Sequence, residues 1–281
     1  MGSLVIKKYH GLGNDYLVID PNKNNVELKT RQIKKLCKRN FGIGADGILF
    51  GPILEDGKMK VQCFNPDGSE AAKSGTGVRI FGKYLKEEGY VTGNQAVFST
   101  ISGEVLVEFL NEEATLVRAE MGKADFHATK IPVSGVEREV IEEPMEFNGT
   151  IYPVTCLSVG NPHCAIFTEE VTRKKVMEIG PYVESAPCFP DRINCMLVEV
   201  QDRNKIRIEV YERGAGYTLA SGTGACAAAA VAHRLGMVDQ KVVVAMPGGE
   251  LTIELTQDET IIMTGTVEAV GMMMITENFF L

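Results

Sequence analysis

The chain has 281 residues, 44% hydrophobic and 23% charged, with a formal net charge of −8. That length supports one large domain or two ordinary ones with a well-buried core, and the acidic balance, with no basic stripe to offset it, argues against nucleic acid as a partner. No apolar run is long enough to span a bilayer, "MGSLVIKKYHGLGND" lacks the build of a signal peptide, and seven cysteines without a CxxC pair read as reduced thiols, so the expectation is a cytoplasmic protein with no membrane contact and no metal site.

In chain order, short β-branched runs bounded by Gly, Asn, Asp and Pro read as strands: "YLVID", "GILF", "EVLVEFL", "ATLVRAEM", "HCAIF", "NCMLVEV", "KIRIEVY", "KVVVAM" and "ELTIEL". Between them, apolar residues at three and four spacing mark helices in "TRQIKKLCKR", "GVRIFGKYLKEEG", "RKKVMEIGPYVE" and "GACAAAAVAHRLG". Many strands with few helices predict an α+β fold. The methionine run Met272 to Met274 reads as core or interface packing.

The tetrapeptide Ser-Gly-Thr-Gly occurs twice, from Ser74 and from Ser221, 147 positions apart. The same separation of 147 relates Gly13-Asn14 to Gly160-Asn161 and lays Phe64 and Asn65 over Tyr211 and Glu212. Two unrelated glycine turns would not share one offset, so the chain reads as a duplication. It predicts two similar domains, 1–120 and 121–267, with the site in the cleft between them.

In each copy the small residues run into a helix, whose first N–H groups lack intrahelical partners and whose dipole favours negative charge. Gly75 and Thr76 in one copy, and Gly222 and Thr223 in the other, are therefore candidates to hold a carboxylate. The offset gathers Asn14, Asn65, Asn161, His163, Asn194, Glu212 and Arg213 as candidate polar groups of the same site. Taken singly they read as turn residues, a solvated histidine and a surface ion pair; together they suit a small zwitterionic ligand. No nucleotide-binding loop is present.

The blocks "KYHGLGNDYLVID", "FGIGADGIL", "FNPDGSEAAKSGTG", "SVGNPHCAIF" and "ERGAGYTLASGTGACAAA" resemble the signature blocks of diaminopimelate epimerases, in that family's order and over nearly the whole chain. The resemblance implies two pseudo-symmetric domains, each a β-barrel-like sheet around a central helix, with residues 268–281 returning to the first. It also implies cofactor-independent inversion at an amino-acid α-carbon, a place in lysine biosynthesis and a homodimer. In the family, one thiolate removes the α-proton while a thiol from the other domain protonates the opposite face. His163 and Glu212 match auxiliary acid and base positions near the α-amino end. Asn65, Asn161, Asn194 and Arg213 match groups that bind the far amino-carboxylate end.

The chain departs from that pattern at its centre, because Ser74 and Ser221 stand at the two cysteine positions. A hydroxyl is far less acidic than a thiol, so each serine needs a group to take its proton, with Lys73, His163 and Glu212 as candidates. Gly47 replaces a common Gln, Thr76 an Asn, Tyr217 a Glu, and Lys73 a neutral residue, which favours natural divergence over a deliberate double exchange. The expectation is an epimerase or racemase whose chemistry is impaired or altered; a silent amino-acid-binding homologue and another proton-shifting isomerase are the competing readings. Cys226 reads as a buried structural thiol rather than a displaced nucleophile, since five helical residues turn it away from Ser221.

Overall fold

Alternation in "LVIKKYHG" makes β1 (Leu4–Gly11), which buries Leu4, Ile6 and Tyr9, and the two-residue turn Leu12-Gly13 returns the chain as the fully buried β2 (Asn14–Ile19). In the computed structural model, which describes residues 4–71 and 74–280, these strands begin the first of two units, Met1–Ala119 with Gly265–Leu281. Helix α1 (Thr30–Cys37) crosses over to β3 (Gly47–Glu55), which lies parallel to β2, as a parallel pair requires. β4 (Lys58–Phe64) pairs antiparallel with β3 and with the short β5 (Glu70–Ala71). A second crossover, α2 (Gly75–Glu87), leads to β6 (Gln95–Thr100), β7 (Gly103–Phe109) and β8 (Leu116–Lys123).

The second unit, Glu120–Thr264, repeats this order. It opens with β9 (Glu143–Phe147), β10 (Thr150–Ser158) and β11 (Pro162–Phe167); α3 (Arg173–Glu184) then crosses to β12 (Asn194–Asp202), parallel to β11. β13 (Lys205–Glu212), β14 (Gly216–Thr218), α4 (Gly222–Arg234), β15 (Lys241–Met246), β16 (Gly249–Leu255) and β17 (Thr260–Thr266) complete it. The last strand, β18 (Glu268–Ile275), lies antiparallel on β1 as β9 lies on β10.

The 147-residue offset extends to hydrogen-bonded pairs. Tyr16 opposite Gly47 becomes His163 opposite Asn194, Leu49 opposite Cys63 becomes Met196 opposite Val210, and both ends of α2 map onto both ends of α4. Each unit is a sheet wrapped around its own helix. α2 touches β1, β2, β3, β6 and β7, while α4 touches β10 to β13, β15 and β16. A helix enclosed this way must be apolar or small on every side: α4 meets this with alanines, buried from Gly222 to Ala232. Helix α2 is buried from Gly75 to Leu85 and carries Arg79 and Lys83 inside, the latter donating to Glu113 O at 2.6 Å.

On the outer faces, α1 packs Ile33 and Leu36 into a cluster with Leu17, Ile19 and Ile48, and α3 packs Val176, Ile179 and Val183 against Cys164, Ile166 and Leu197. Each such buried aliphatic contributes about 1.5–3 kcal/mol. Met273 joins the first cluster, whereas Met272 and Met274 point outward on β18 and are not core.

Candidate active site

In the first unit Ser74 has extended backbone and caps α2: its Oγ accepts the Gly77 N–H at 3.0 Å and its carbonyl accepts the Val78 N–H. The N–H groups of Gly75 and Thr76 fall in the turn that the helix ladder leaves open. The Ser74 hydroxyl also bonds the phenol of Tyr16 at 2.8 Å. That contact depends on Gly47, the residue opposite Tyr16 on β3, because a Cβ at Gly47 would sit 2.5 Å from Tyr16 Cε1 and 2.8 Å from Phe64 O. The missing side chain at 47 and the ring at 16 occupy one space. Sequence reading flagged Gly47 only as a departure and missed Tyr16; the strand pairing joins them.

Beside this pair, the buried Asn14 donates to Asp46 Oδ2 at 3.1 Å, and Asp46 and Asp15 accept each other's backbone N–H groups. Arg39 clamps both carboxylates, and Lys8 reaches Asp15 at 2.7 Å. Burial pushes Asp15 up, but its hydrogen bonds to Arg39 and Lys8 outweigh it and hold the carboxyl below the usual range; burial beside Asp15 pushes Asp46 above it. Asn65 closes its own turn, donating to Ser69 Oγ at 3.0 Å. Lys73 lies outside the described residues.

In the second unit Ser221 caps α4 in the same way, accepting Gly224 N–H at 3.1 Å, with Gly222 and Thr223 in the open first turn. Thr223 Oγ1 bonds Asn161 Nδ2 at 3.2 Å, and Asn161 Oδ1 bonds His163 Nε2 at 2.9 Å. His163 is fully buried rather than solvated, and burial together with nearby Arg213 drives its pKa down to about 3. It is therefore neutral at pH 7, with its Nε2–H on Asn161 and its Nδ1 without a hydrogen-bond partner among the described residues. Opposite it, Asn194 donates to Pro162 O at 2.8 Å and accepts the Arg213 N–H at 2.8 Å.

Arg213 itself is half-buried and donates to the Asp191 carbonyl at 3.0 Å. Burial and Arg192 push its pKa down, against the pull of Asp191 and Glu184. Glu212 is half-buried at the end of β13. The fold thus joins Asn161, His163, Asn194, Arg213 and Thr223 into one linked group. Within it His163 bonds Asn161 through Nε2, while the Ser74 hydroxyl has the Tyr16 phenol as its partner. Tyr217, where a Glu was expected, lies under the Arg173 guanidinium at 4.7 Å. Cys226 is fully buried.

The sequence profile of the diaminopimelate epimerase family matches residues 6–127 and 155–270. Diaminopimelate epimerase 2 of Nostoc sp. is 45% identical over 92% of this chain and 91% of its own length, and the diaminopimelate epimerase of Moorella thermoacetica is 39% identical over 92% and 94%. Among solved structures, a hydroxyproline epimerase from Agrobacterium vitis superposes with a TM-score of 0.70 at 14% identity, covering 98% of this chain and 94% of that one. A Bacillus anthracis protein of the phenazine biosynthesis PhzF family gives 0.68 at 16% identity, covering 98% and 100%; at these identities the likeness is one of fold. The chain belongs to the diaminopimelate epimerase family.

Proposed function

We propose that the protein is an amino-acid epimerase that interconverts LL- and meso-diaminopimelate by moving a proton at one α-carbon, with Ser74 and Ser221 at the two acid/base positions. The observation that carries this reading is the pair of capping serines at repeat-equivalent helix starts. Inversion needs a base on one face of a carbon and an acid on the other, and a duplicated unit supplies one of each. The open first turns at Gly75, Thr76, Gly222 and Thr223 would stabilise the charge that grows on the substrate carboxylate as the carbanion forms.

Arg213 supplies a half-buried guanidinium suited to a distal carboxylate, and Asn14, Asn65, Asn161 and Asn194 supply the neutral polar surround. His163, being neutral, serves this site as a hydrogen-bonding group, with Glu212 nearby in sequence to Arg213. No cofactor enters the scheme. A place in lysine biosynthesis follows from this substrate. Reduced cysteines support a cytoplasmic setting, and the outward methionines of β18 support a homodimer.

The test is proton NMR with LL-diaminopimelate in deuterated water, using the natural chain beside Ser74→Cys/Ser221→Cys. Loss of the α-proton signal with the natural chain supports the reading; loss with the cysteine variant alone would mean a diaminopimelate site that the serines have silenced. Retention of the signal with both would remove diaminopimelate as the substrate.

A further inference from the structure

We propose that Tyr16 acts through Ser74, the two hydroxyls forming a proton couple that moves a proton more readily than a lone serine does, with the space for it made by Gly47. This rests on the epimerase reading above.

Three observations carry it. Tyr16 is 7% exposed and its phenol is 2.8 Å from Ser74 Oγ, at the start of α2 where negative charge is favoured. The ring is held in place because the position opposite it has no side chain: any Cβ at Gly47 would collide with Tyr16 Cε1 at 2.5 Å. The third observation is the contrast with the second unit. There, the residue equivalent to Tyr16 is His163, opposite Asn194, and its ring bonds Asn161 rather than Ser221.

Ser74 Oγ already accepts the Gly77 N–H. When Tyr16 also donates to it, both Oγ lone pairs are engaged and the Ser74 proton is left to point elsewhere, toward a substrate carbon. In the acid direction the carbanion takes the Ser74 proton, forming the Cα–H bond. The Tyr16 proton replaces it on Oγ in the same step, so the negative charge leaves the carbon and ends on the phenolate. In the base direction the phenolate takes the Ser74 proton as Oγ takes the α-proton, and the electron pair of the Cα–H bond stays on carbon. Charge never rests on an alkoxide. A phenol is much the stronger acid of the two, so the route through Tyr16 avoids the least favourable species in a serine-only transfer.

The experiment measures α-proton exchange of LL-diaminopimelate and of the meso form in deuterated water with four proteins: the natural chain, Tyr16→Phe, Ser74→Cys, and Ser74→Cys/Tyr16→Phe. The phenylalanine keeps the ring in the Gly47 space, so folding is checked by an unchanged thermal transition. The expected result is exchange by the natural chain, a loss of about 100-fold or more in Tyr16→Phe, and recovery when Ser74→Cys is added, because a thiolate needs no phenol. A role confined to positioning the helix would leave the double variant as impaired as Tyr16→Phe. Natural-rate exchange by Tyr16→Phe overturns the couple while leaving the epimerase reading intact, and exchange confined to the cysteine variants overturns the couple and leaves only the diaminopimelate site. Silence from all four removes the substrate assignment and the couple with it.

Discussion

The two units share one strand order and one capped inner helix, yet at the lattice point beside each serine they have chosen different chemistry. In the first, Tyr16 faces Gly47 and reaches the serine directly. In the second, His163 faces Asn194, and the interaction runs from the ring through Asn161 to Thr223, leaving Ser221 with the Gly224 N–H. A duplication fixes where side chains stand, since both pairs sit opposite each other on parallel strands. It does not fix which group lends or takes a proton there. The difference teaches that two helix ends alike in backbone can be unlike in acid/base equipment.

The largest effect expected is on turnover. Ser74→Ala and Ser221→Ala should each lower α-proton exchange by about 100- to 10,000-fold, the range of a lost acid or base, read by the same NMR assay. Their stabilities should separate them. Each loses an N-cap, worth about 1 kcal/mol, but Ser74→Ala also loses the hydrogen bond to the Tyr16 phenol and should cost about a further 1 kcal/mol. Equal urea midpoints for the two variants would contradict the contrast drawn between the units.

Next in size is Gly47→Ala. Its Cβ meets a backbone oxygen as well as a ring, so relaxation is limited, and a loss of about 1–3 kcal/mol is expected with the Tyr16–Ser74 bond displaced. Gly47→Ala/Tyr16→Ala should lose less than the sum of the two single losses if ring and glycine are a matched pair. If the losses add, they are independent.

The pH dependence of stability distinguishes the units on a smaller scale. His163 stays neutral in the folded chain down to about 3, while an unfolded histidine takes a proton below about 6.5. Unfolding therefore binds a proton in that window, and stability falls as pH falls from about 6.5 toward 3, by ~1.4 kcal/mol per pH unit. Between pH 6.5 and 5 the contribution is ~2 kcal/mol. Denaturant unfolding of the natural chain and of His163→Gln across this range should show a steeper decline for the natural chain; parallel curves would refute it.

Much of this was legible in the sequence because the repeat is gapless where it matters. The offset read from two short motifs carries through β3 and β12 and through α2 and α4 without slipping, so Ser74 pairs with Ser221 and Asn14 with Asn161 from the sequence alone. What stayed hidden required knowing which strands are neighbours. Tyr16 and Gly47 are 31 positions apart, and nothing in either motif says that one ring fills the other's vacancy; that follows only from the parallel register. The carboxylate pair Asp15 and Asp46 was missed for the same reason. His163 was weighed as solvated because burial is a tertiary property: a histidine after Asn-Pro looks like a turn until the strands on both sides cover it.

The smallest expected effect is also the cleanest comparison, because it uses the same residue in both units. Thr76 and Thr223 occupy the same position in the first turn of α2 and α4. Thr223 Oγ1 is bonded to Asn161, so Thr223→Val gives up a hydrogen bond and leaves the Asn161 amide short of a partner, a cost of about 1 kcal/mol. Thr76 Oγ1 is buried with no hydrogen-bond partner among the described residues, and its methyl packs beside Gly11. Replacing that hydroxyl by a methyl removes a polar atom that burial had already stripped of water, so Thr76→Val should be neutral or stabilising by a few tenths of a kcal/mol. Measured by urea midpoint in the absence of substrate, a matched loss in the two variants would mean that Thr76 Oγ1 is satisfied in solution. A loss confined to Thr223→Val would show that the second unit has tied its helix start into a polar network and that the first has left the same atom outside one.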